Sequence, residues 1–500
     1  MVKVLAGEIV GLEAIPVEVE VGILSGLHSF TIVGLADKAI NEAKERISLA
    51  IKSIGAKPPL HFSKKIIVNL APANLKKEGT IYDLAIALGF LKASKQINSS
   101  LEEKMFIGEL SLKGEIRKTK GVLSYVLMAK KLKIKEIYIP KENEKEINFV
   151  EGIDIFPVKD LKELINHLEN KFKIEKIIPE RPKFYWEEDK IFSYLKGLEF
   201  FKKIIQIVAT GGHHVLFFGS PGTGKSLLAQ AISDLLPPLD FEKAIETTLI
   251  HSIYGEAEEI VFKPPFRSPH HTASEIAILG GGQKIKAGEI TLAHNGILFL
   301  DELPEFSRKV IEGLREPLES GEILISRARE KIKLPARFTL VGAMNPCPCG
   351  WYGDQEKECK CNINEIRKYQ KKISGPLLDR FDIFVNVPRM EAEKILESSK
   401  KEDINKIREK IKKAREIQIK RQGKLNRDLS FKEIENYISI NQELKNFLKN
   451  AAEKLKLSPR AIHKVLKISR TLADFDLKEE IEISHIQEAL QYRQTEFFDY

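Results

Sequence analysis

One eight-residue stretch constrains this chain more than any other feature of its sequence. Residues 219–226 read Gly-Ser-Pro-Gly-Thr-Gly-Lys-Ser, which matches the phosphate-loop pattern G-x-x-x-x-G-K-[ST]. The apolar run 214–218 before it predicts a buried strand, and residues 227–236 after it predict a helix. An ordinary glycine-rich turn needs neither this flanking pair nor the Lys-Ser ending. The sequence therefore predicts an α/β fold built on a parallel sheet that binds a nucleotide.

The phosphate loop predicts specific contacts to ATP and Mg²⁺. Its glycines let the backbone bend so that several N–H groups point at a polyphosphate, beside the positive end of the following helix. We expect Lys225 to reach the β- and γ-phosphates and the Ser226 hydroxyl to be a Mg²⁺ ligand. The predicted cofactor-binding residues of the loop are Gly219, Ser220, Pro221, Gly222, Thr223, Gly224, Lys225 and Ser226.

Two further apolar runs end in polar residues suited to ATP hydrolysis. Residues 297–300 lead into Asp301 and Glu302, and residues 337–341 lead towards Asn345. Parallel strands place their ligands at their carboxyl ends, so we expect these side chains beside the phosphate loop. Asp301 would hold Mg²⁺ through water, Glu302 would orient and deprotonate the attacking water, and Asn345 would hold that water. The alternative for Asn345 is an ordinary turn residue before a proline.

Composition places the chain among globular proteins of several domains. Five hundred residues with 43% hydrophobic and 30% charged residues predict two to four domains. We see neither an apolar run of membrane-spanning length nor a signal-peptide layout, and we therefore expect a cytoplasmic protein. The net charge of +9 is modest for this length and indicates a polyanionic partner only weakly.

All four cysteines fall within the segment 347–361. They are Cys347, Cys349, Cys359 and Cys361, arranged as two C-x-C pairs. In a reducing compartment, four thiols at this spacing can surround one tetrahedral Zn²⁺ ion, whereas disulfides need an oxidising one. We predict a structural zinc site, and the alternative is a loop with no metal and no redox role.

The periodicity of the remaining chain predicts the domain order. Alternating residues between 5 and 33 predict strands, and later helical and apolar runs complete an α+β domain over residues 1–168. A charged segment with two prolines predicts a linker over 169–190. The nucleotide-binding core then covers 191–390, and a helical pattern covers 391–500.

The N-terminal domain resembles a known peptidase fold. Residues 107–147 look like the proteolytic domain of Lon, an S5-type fold that uses a Ser/Lys dyad. The dyad is absent, because Ile81 stands in the serine position and Leu123 in the lysine position. Neither side chain can attack a carbonyl or accept a proton, so the resemblance implies a Lon-like fold without peptidase activity.

Longer motifs resemble the ComM/YifB family of magnesium-chelatase-like AAA+ ATPases. They are residues 288–306, 266–272, 345–350 and 375–382, together with 11–20 and 68–73 near the start of the chain. The resemblance implies an AAA+ core, a C-terminal helical lid, and a homo-oligomer, expected to be a hexamer with ATP sites between subunits. It also implies a helicase-like motor that translocates on single-stranded or branched DNA and promotes branch migration during natural transformation.

Two arginines are candidates for contacts to the γ-phosphate. Arg380 follows a short helical stretch and could reach the ATP of a neighbouring subunit, as an alternative to an ion pair with Asp379 or Asp382. Arg460 begins a later helix and could reach the nucleotide from the lid, as an alternative to a solvated arginine at a helix N-terminus.

Two other functions are compatible with the sequence. One is a chelatase-type ATPase that remodels a partner enzyme for metal insertion, although we find no acidic metal-carrying domain. The other is an ATP-dependent protease, which the missing dyad disfavours. The adjacent His270 and His271 lack a third ligand at fixed spacing, so they do not predict a metal site. The glycine run 280–282 predicts a flexible loop that contacts substrate or lines a pore.

Overall fold

The computed structural model describes residues 1–180, 184, 186, 191–192, 195, 199–282, 286–326, 331–389 and 403–493. Part of the predicted linker, at 181–183, 185 and 187–190, and the start of the predicted lid, at 391–402, lie outside these ranges. The chain divides into two compact units. The first contains Met1–Phe184 and Asp240–Phe262, and the second contains Tyr185–Leu239 and Lys263–Tyr500.

The described ranges contain the following strands and helices. The strands are β1 Val2–Val10, β2 Glu13–Ser25, β3 Ser29–Val33, β4 Lys64–Ala71, β5 Lys104–Phe106, β6 Glu109–Leu110, β7 Ile116–Arg117, β8 Glu136–Pro140, β9 Asp154–Val158, β10 Val215–Phe218, β11 Phe266–Arg267, β12 Ile297–Leu300, β13 Glu322–Ser326, β14 Lys331–Pro335, β15 Thr339–Met344 and β16 Ile383–Asn386. The helices are α1 Lys38–Ser53, α2 Asp83–Ala93, α3 Val122–Lys131, α4 Glu144–Ile147, α5 Leu161–Leu168, α6 Glu199–Gly211, α7 Lys225–Leu235, α8 Phe241–Tyr254, α9 Glu275–Leu279, α10 Glu289–Leu292, α11 Arg308–Gly313, α12 Arg315–Ser320, α13 Ile363–Gln370, α14 Gly375–Leu378, α15 Ile404–Gln422, α16 Phe431–Tyr437, α17 Gln442–Lys454, α18 Pro459–Phe475 and α19 Ile483–Gln491.

A mixed seven-stranded sheet forms the centre of the first unit. Its order is β3-β4-β2-β1-β5-β8-β9. Strand β2 is antiparallel to both of its neighbours, β1 and β4. The pairs β1–β5, β5–β8 and β8–β9 are parallel. The alternation of β2 predicted its buried face, where Val17, Val19 and Val21 are fully buried. Ile81 and Leu123 are also buried apolar residues, so neither position presents a nucleophile or a base.

Helix α8 belongs to the first unit although it follows the phosphate-loop helix α7 in sequence. The buried Glu146 carboxylate accepts hydrogen bonds from the Ser252 hydroxyl of α8, from Asn143 Nδ2 at 2.9 Å and from Leu123 N at 3.3 Å. The backbone N–H of Gly121 donates to Ser252 O at 3.0 Å. A side-chain carboxylate buried at this point thus fastens the inserted helix to the N-terminal α+β fold.

The second unit is built on a five-stranded parallel sheet. Its order is β11-β12-β15-β10-β16. Strand β10, which comes first in the chain, therefore lies between β15 and β16, which come last. All residues of β10, β12 and β15 are buried, which is why their sequences read as continuous apolar runs. This topology, with its phosphate loop after β10, fits an AAA+ fold.

The C-terminal helices pack against the sheet-covering helices within the second unit. Ile411 and Val465, from α15 and α18, share one buried cluster with Ile204 and Val208 of α6. Buried polar contacts add to this core. The buried Asp474 carboxylate accepts hydrogen bonds from Arg421 Nη1 and Nη2, at 2.7 and 2.8 Å. The described part of the predicted helical segment, 403–493, is helical and is joined to the nucleotide-binding sheet by one continuous core.

Several elements differ from what the sequence pattern indicated. The apolar spacing predicts one helix over 306–318, but the structure has α11 and α12 instead. Pro317 causes the break, because its ring clashes with the carbonyl of Gly313 and it has no N–H to donate. Helix α8 and the short strand β11 were not predicted at all. Across the described residues, no helix is both long and apolar enough to cross a membrane.

Replacing Glu146 with alanine is predicted to loosen α8 locally. Three donors would lose their buried acceptor, at a cost of about 1–3 kcal/mol. Hydrogen exchange of the α8 amides, followed by mass spectrometry, should therefore accelerate about tenfold or more. Glu142→Ala is the matched control, because Glu142 is exposed on the same segment. Equal exchange rates in the two variants would contradict this account of α8.

Candidate functional site

The phosphate loop has the backbone conformation that its glycines predict. Gly222 and Gly224 have φ values of +79° and +85°, and Gly224 is the N-cap of α7. A side chain on Gly219 would place its Cβ 2.2 Å from Val387 O, so only glycine fits between β10 and the chain that follows β16. The loop therefore presents backbone N–H groups at the N-terminus of an eleven-residue helix, an arrangement that binds anions.

Lys225 is held inside this loop by its own backbone. Its Nζ donates to Gly219 O and Ser220 O, each at 2.8 Å, and lies 3.4 Å from Asn345 Oδ1. Burial lowers the pKa of the ammonium to about 8, opposed by the nearby Asp301 and Glu302 carboxylates. A polyphosphate would supply the negative charge that this buried cation lacks.

Ser226 and Asp301 form an oxygen pair suited to Mg²⁺. The Ser226 hydroxyl donates to Asp301 Oδ2 at 2.7 Å, although the two residues come from α7 and from the end of β12. The Ser226 hydroxyl would be a direct ligand, at 2.0–2.1 Å from the ion. Asp301, hydrogen-bonded to that hydroxyl, is placed to accept a hydrogen bond from a water on the same ion. The pair therefore fits Mg²⁺, which would neutralise phosphate charge when bound.

Glu302 and Asn345 extend from neighbouring strands at the same sheet edge. β12 and β15 pair with Leu300 opposite Gly342, which places the residues after both strands together. Glu302 has a left-handed backbone, with φ +51°, and its side chain is half-exposed. Non-glycine residues adopt this conformation at a cost in energy, and such residues are common at functional sites. The structure thus brings together Lys225, Ser226, Asp301, Glu302 and Asn345.

Sequence reasoning missed a partner of Glu302. His271 Nδ1 lies 3.0 Å from Glu302 Oε2, and the His271 ring is 4.2 Å from that of His270. Two adjacent histidines between the ATP motifs are visible in the sequence, but their spacing carries no signal for a contact with Glu302. Its position after β11, which pairs with β12, is what brings it to Glu302.

The four cysteines form one cluster. Their sulfur atoms all lie within 4.8 Å of one another, and three Sγ–Sγ distances are 3.4, 3.6 and 3.6 Å. A tetrahedral Zn²⁺ with four thiolates at about 2.3 Å separates its sulfurs by about 3.8 Å. Burial raises the pKa of Cys349, but backbone N–H donors from Trp351 and Lys360 outweigh it and lower that pKa to about 6. The donor set therefore fits zinc.

The loop that carries the cysteines packs on the phosphate loop. A Cβ on Gly350, which has φ +86°, would lie 2.6 Å from Pro221 Cγ. The Ser220 side chain near the Asp354 carboxylate contributes most to lowering the pKa of Asp354. Residues 347–361 thus pack against the phosphate loop at Pro221 and support it. The spacing of the cysteines in the sequence did not reveal this role.

Arg380 and Arg460 lie apart from this group. Arg380 Nη2 donates to Glu319 Oε2 at 2.7 Å, and its buried Nε has no hydrogen-bond partner among the described atoms. Arg460 Nη1 lies 3.9 Å from Asp379 Oδ2, beside Arg380 in sequence. Among the described residues, no hydrogen bond or ion pair joins either arginine to the phosphate loop of the same chain.

Comparison with known proteins covers nearly the whole chain. The family model described as "Subunit ChlI of Mg-chelatase" matches residues 19–143. "Magnesium chelatase, subunit ChlI" matches 191–395, and "Magnesium chelatase, subunit ChlI C-terminal" matches 401–493.

Three relatives illustrate the range of similarity. The competence protein ComM of Haemophilus influenzae is 42% identical, over 97% of this chain and 95% of that protein. The protein YifB of Escherichia coli is 41% identical over the same shares. The magnesium-chelatase subunit ChlI homolog of Methanocaldococcus jannaschii is 25% identical, over 60% of this chain and 83% of that protein.

Gly350→Ala is predicted to weaken nucleotide binding, because its new Cβ would displace Pro221 and with it the phosphate loop. We expect the Kd of a fluorescent ATP analogue to rise about tenfold, the equivalent of about 1.4 kcal/mol. Gly353→Ala is a matched control: Gly353 also has positive φ, +79°, but an added Cβ there meets nothing within 4 Å. Equal affinities for the two variants would show that the contact with Pro221 is unimportant.

Proposed function

The chain belongs to the ComM/YifB family of magnesium-chelatase-like AAA+ ATPases, and we propose that it is an ATP-driven motor that acts on DNA. One observation carries the ATPase assignment. Lys225 Nζ lies 3.4 Å from Asn345 Oδ1, and the hydrogen-bonded Ser226–Asp301 pair lies at the same site. The DNA assignment rests on kinship with a competence protein and on the charge of this chain.

ATP hydrolysis would use each of these residues in a separate role. Lys225 and the loop amides would bind the phosphates, and Ser226 directly, with Asp301 through water, would hold Mg²⁺, which would screen the charge of the triphosphate. Glu302 accepts a proton from water as the water oxygen attacks the γ-phosphorus and the bond to the β-phosphate oxygen breaks. Asn345 orients that water. The products are ADP and inorganic phosphate.

We further propose that Arg380 acts on the ATP of a neighbouring subunit in a homo-oligomer, expected to be a hexamer. Among the described residues, the Arg380 guanidinium is ion-paired with the exposed Glu319, a partner that it could exchange for a γ-phosphate. Arg460 lies beside Asp379, next to Arg380. This placement supports a shared role at a subunit boundary more than contact with the nucleotide of the same subunit.

The proposed DNA substrate is single-stranded or branched and is bound without regard to sequence. The chain carries a net charge of +9, and Lys412, Lys413 and Lys420 are exposed along α15. Lysines that contact phosphates bind DNA through counterion release, which makes affinity fall steeply with salt. We propose that this activity serves branch migration during natural transformation, in the cytoplasm; the name of one relative, competence protein, supports only the link to competence.

A chelatase-type function is the second candidate, because all three matching family models are described as magnesium chelatase subunits. In that case ATP hydrolysis would remodel a partner enzyme. Peptidase activity is not proposed. Although the N-terminal unit is proposed to be Lon-like, Ile81 and Leu123 fill the two dyad positions with buried apolar side chains.

We also propose that Cys347, Cys349, Cys359 and Cys361 hold one structural Zn²⁺. The distances between their sulfurs support this, and the cluster follows Asn345 directly in the chain. A metal here would secure the loop that supports Ser220 and Pro221.

ATP turnover should depend on DNA and on Glu302. We expect single-stranded or forked DNA to stimulate hydrolysis several-fold at low salt and strand displacement to require ATP. Glu302→Gln should reduce turnover by roughly 10²-fold or more while retaining ATP binding, since only the proton acceptor is lost. Glu305→Gln, three residues along and exposed, should hydrolyse ATP at the parental rate. Turnover that is unaffected by DNA, with no binding at low salt, would exclude the motor and favour partner remodelling.

Metal analysis of protein purified under reducing conditions should find about one zinc per chain. Cys359→Ser should lose the metal, and the parent should release it to a strong chelator together with four titratable thiols. A content well below one zinc per chain, with all thiols reduced, would leave the cysteine loop without a metal role.

A further inference from the structure

The helical segment 403–493 carries an apolar groove beside helix α17. The groove has a volume of about 570 Å³ and is formed by α17, the residues on either side of it, and α18. Its apolar lining residues are Ile440, Leu448, Ala452, Leu457, Ile462 and Leu466. Leu448 is also part of the buried core of the second unit, so the floor of the groove is continuous with that core. Apolar clefts of this volume commonly hold a ligand.

The rim of the groove is mainly positive. Lys445 and Lys449 lie one turn apart on α17, Lys456 follows the helix, and all three are exposed. The exposed Glu453 is also on the rim, which therefore carries three ammonium groups and one carboxylate. Within the described ranges, none of the three ammonium groups forms a hydrogen bond or an ion pair. The groove thus favours an occupant with apolar side chains and negative charge.

The residues that follow the described part of the chain have this composition. Residues 494–500 read Gln-Thr-Glu-Phe-Phe-Asp-Tyr, with three aromatic rings and two carboxylates in the last five positions. Aromatic side chains bury large apolar areas, and carboxylates complement a positive rim. The segment therefore matches both the lining and the charge of the groove.

The segment begins near the helix that forms one wall of the groove. Arg493 Nη1 donates to Phe381 O at 3.1 Å, and the same carbonyl accepts from Lys464 Nζ of α18 at 2.8 Å. Lys464 is two residues from each of the groove residues Ile462 and Leu466, so at 3.6 residues per turn it is on the opposite side of α18. Seven extended residues span roughly 23 Å, about twice the diameter of a helix with its side chains. The segment is therefore long enough to pass around α18.

We propose that residues 494–500 dock in this groove of their own subunit, with the aromatic rings against the apolar lining and Glu496 and Asp499 beside the lysines of the rim. The segment is tethered to α19 by two residues, which gives it an effective concentration on the order of 1 mM at a site within its reach. This tether favours the segment of the same subunit over that of another copy. The inference is independent of the proposed function, because neither nucleotide nor DNA takes part in the docking.

Photo-crosslinking in the full chain tests the docking. With p-benzoylphenylalanine in place of Phe498, irradiation should join the segment to peptides within 440–466, which mass spectrometry identifies. Lys445→Glu/Lys449→Glu should lower the yield of these crosslinks about fivefold or more, because like charges would then face each other. Lys445→Arg/Lys449→Arg keeps the charge of the rim, so this matched control should crosslink as the parent does.

A charge exchange separates the loss of docking from a defect in folding. Glu496→Lys/Asp499→Lys should also lose the crosslinks, and combining it with Lys445→Glu/Lys449→Glu should restore them. Unlabelled chains that carry the probe, mixed with isotope-labelled chains that lack it, show whether both crosslinked peptides come from one subunit. Crosslinks outside 440–466, crosslinks to labelled peptides, or an exchanged variant that does not recover would each overturn the proposal.

Discussion

The register of three parallel strands determines where the chemistry of this protein takes place. β10 pairs with β15 so that Phe218 lies opposite Met344, and β15 pairs with β12 so that Gly342 lies opposite Leu300. The phosphate loop, Asn345 and the two carboxylates therefore begin at one sheet edge. A shift of one residue in either pairing would exchange the side chains of a strand between the two buried layers and would separate these groups.

Buried polar contacts extend this order to the arginine candidates. Asp382 is buried and accepts the backbone N–H of His214 at 3.0 Å, while Lys464 lies 3.2 Å from its other oxygen. Burial raises the pKa of Asp382, but the Lys464 ammonium and the nearby histidines outweigh this and hold it well below its usual range. One carboxylate thus joins the start of β10, helix α18 and the loop that carries Arg380. The position of Arg380 is consequently tied to the strand that leads into the phosphate loop.

The same chain segment connects the nucleotide loop to the N-terminal unit. After α7 the backbone enters α8, which Glu146 fastens to the first unit, and it returns to the second unit before β11. β11 then leads directly to His271 and its contact with Glu302. The helix that begins with Lys225 and the segment that contains His271 are therefore the two covalent ends of one insertion.

The sequence alone determined the features that depend on neighbouring residues. The phosphate loop, the Asp301–Glu302 pair, the four cysteines and the apolar residues at the two dyad positions are each legible within short segments. Their chemistry follows from residue type and spacing, so no contact with distant residues was needed to predict them. The predicted strands before Gly219 and Asp301 were confirmed for the same reason.

Only the tertiary structure decided which distant residues meet. The contacts of His271 with Glu302, of Gly350 with Pro221 and of Ser252 with Glu146 each join parts of the chain whose local patterns are independent. Periodicity shows that a face is buried, but it carries no information about which partner covers it. Strand order and packing supply that information, because they set which loops share a sheet edge and which carboxylates must find buried donors.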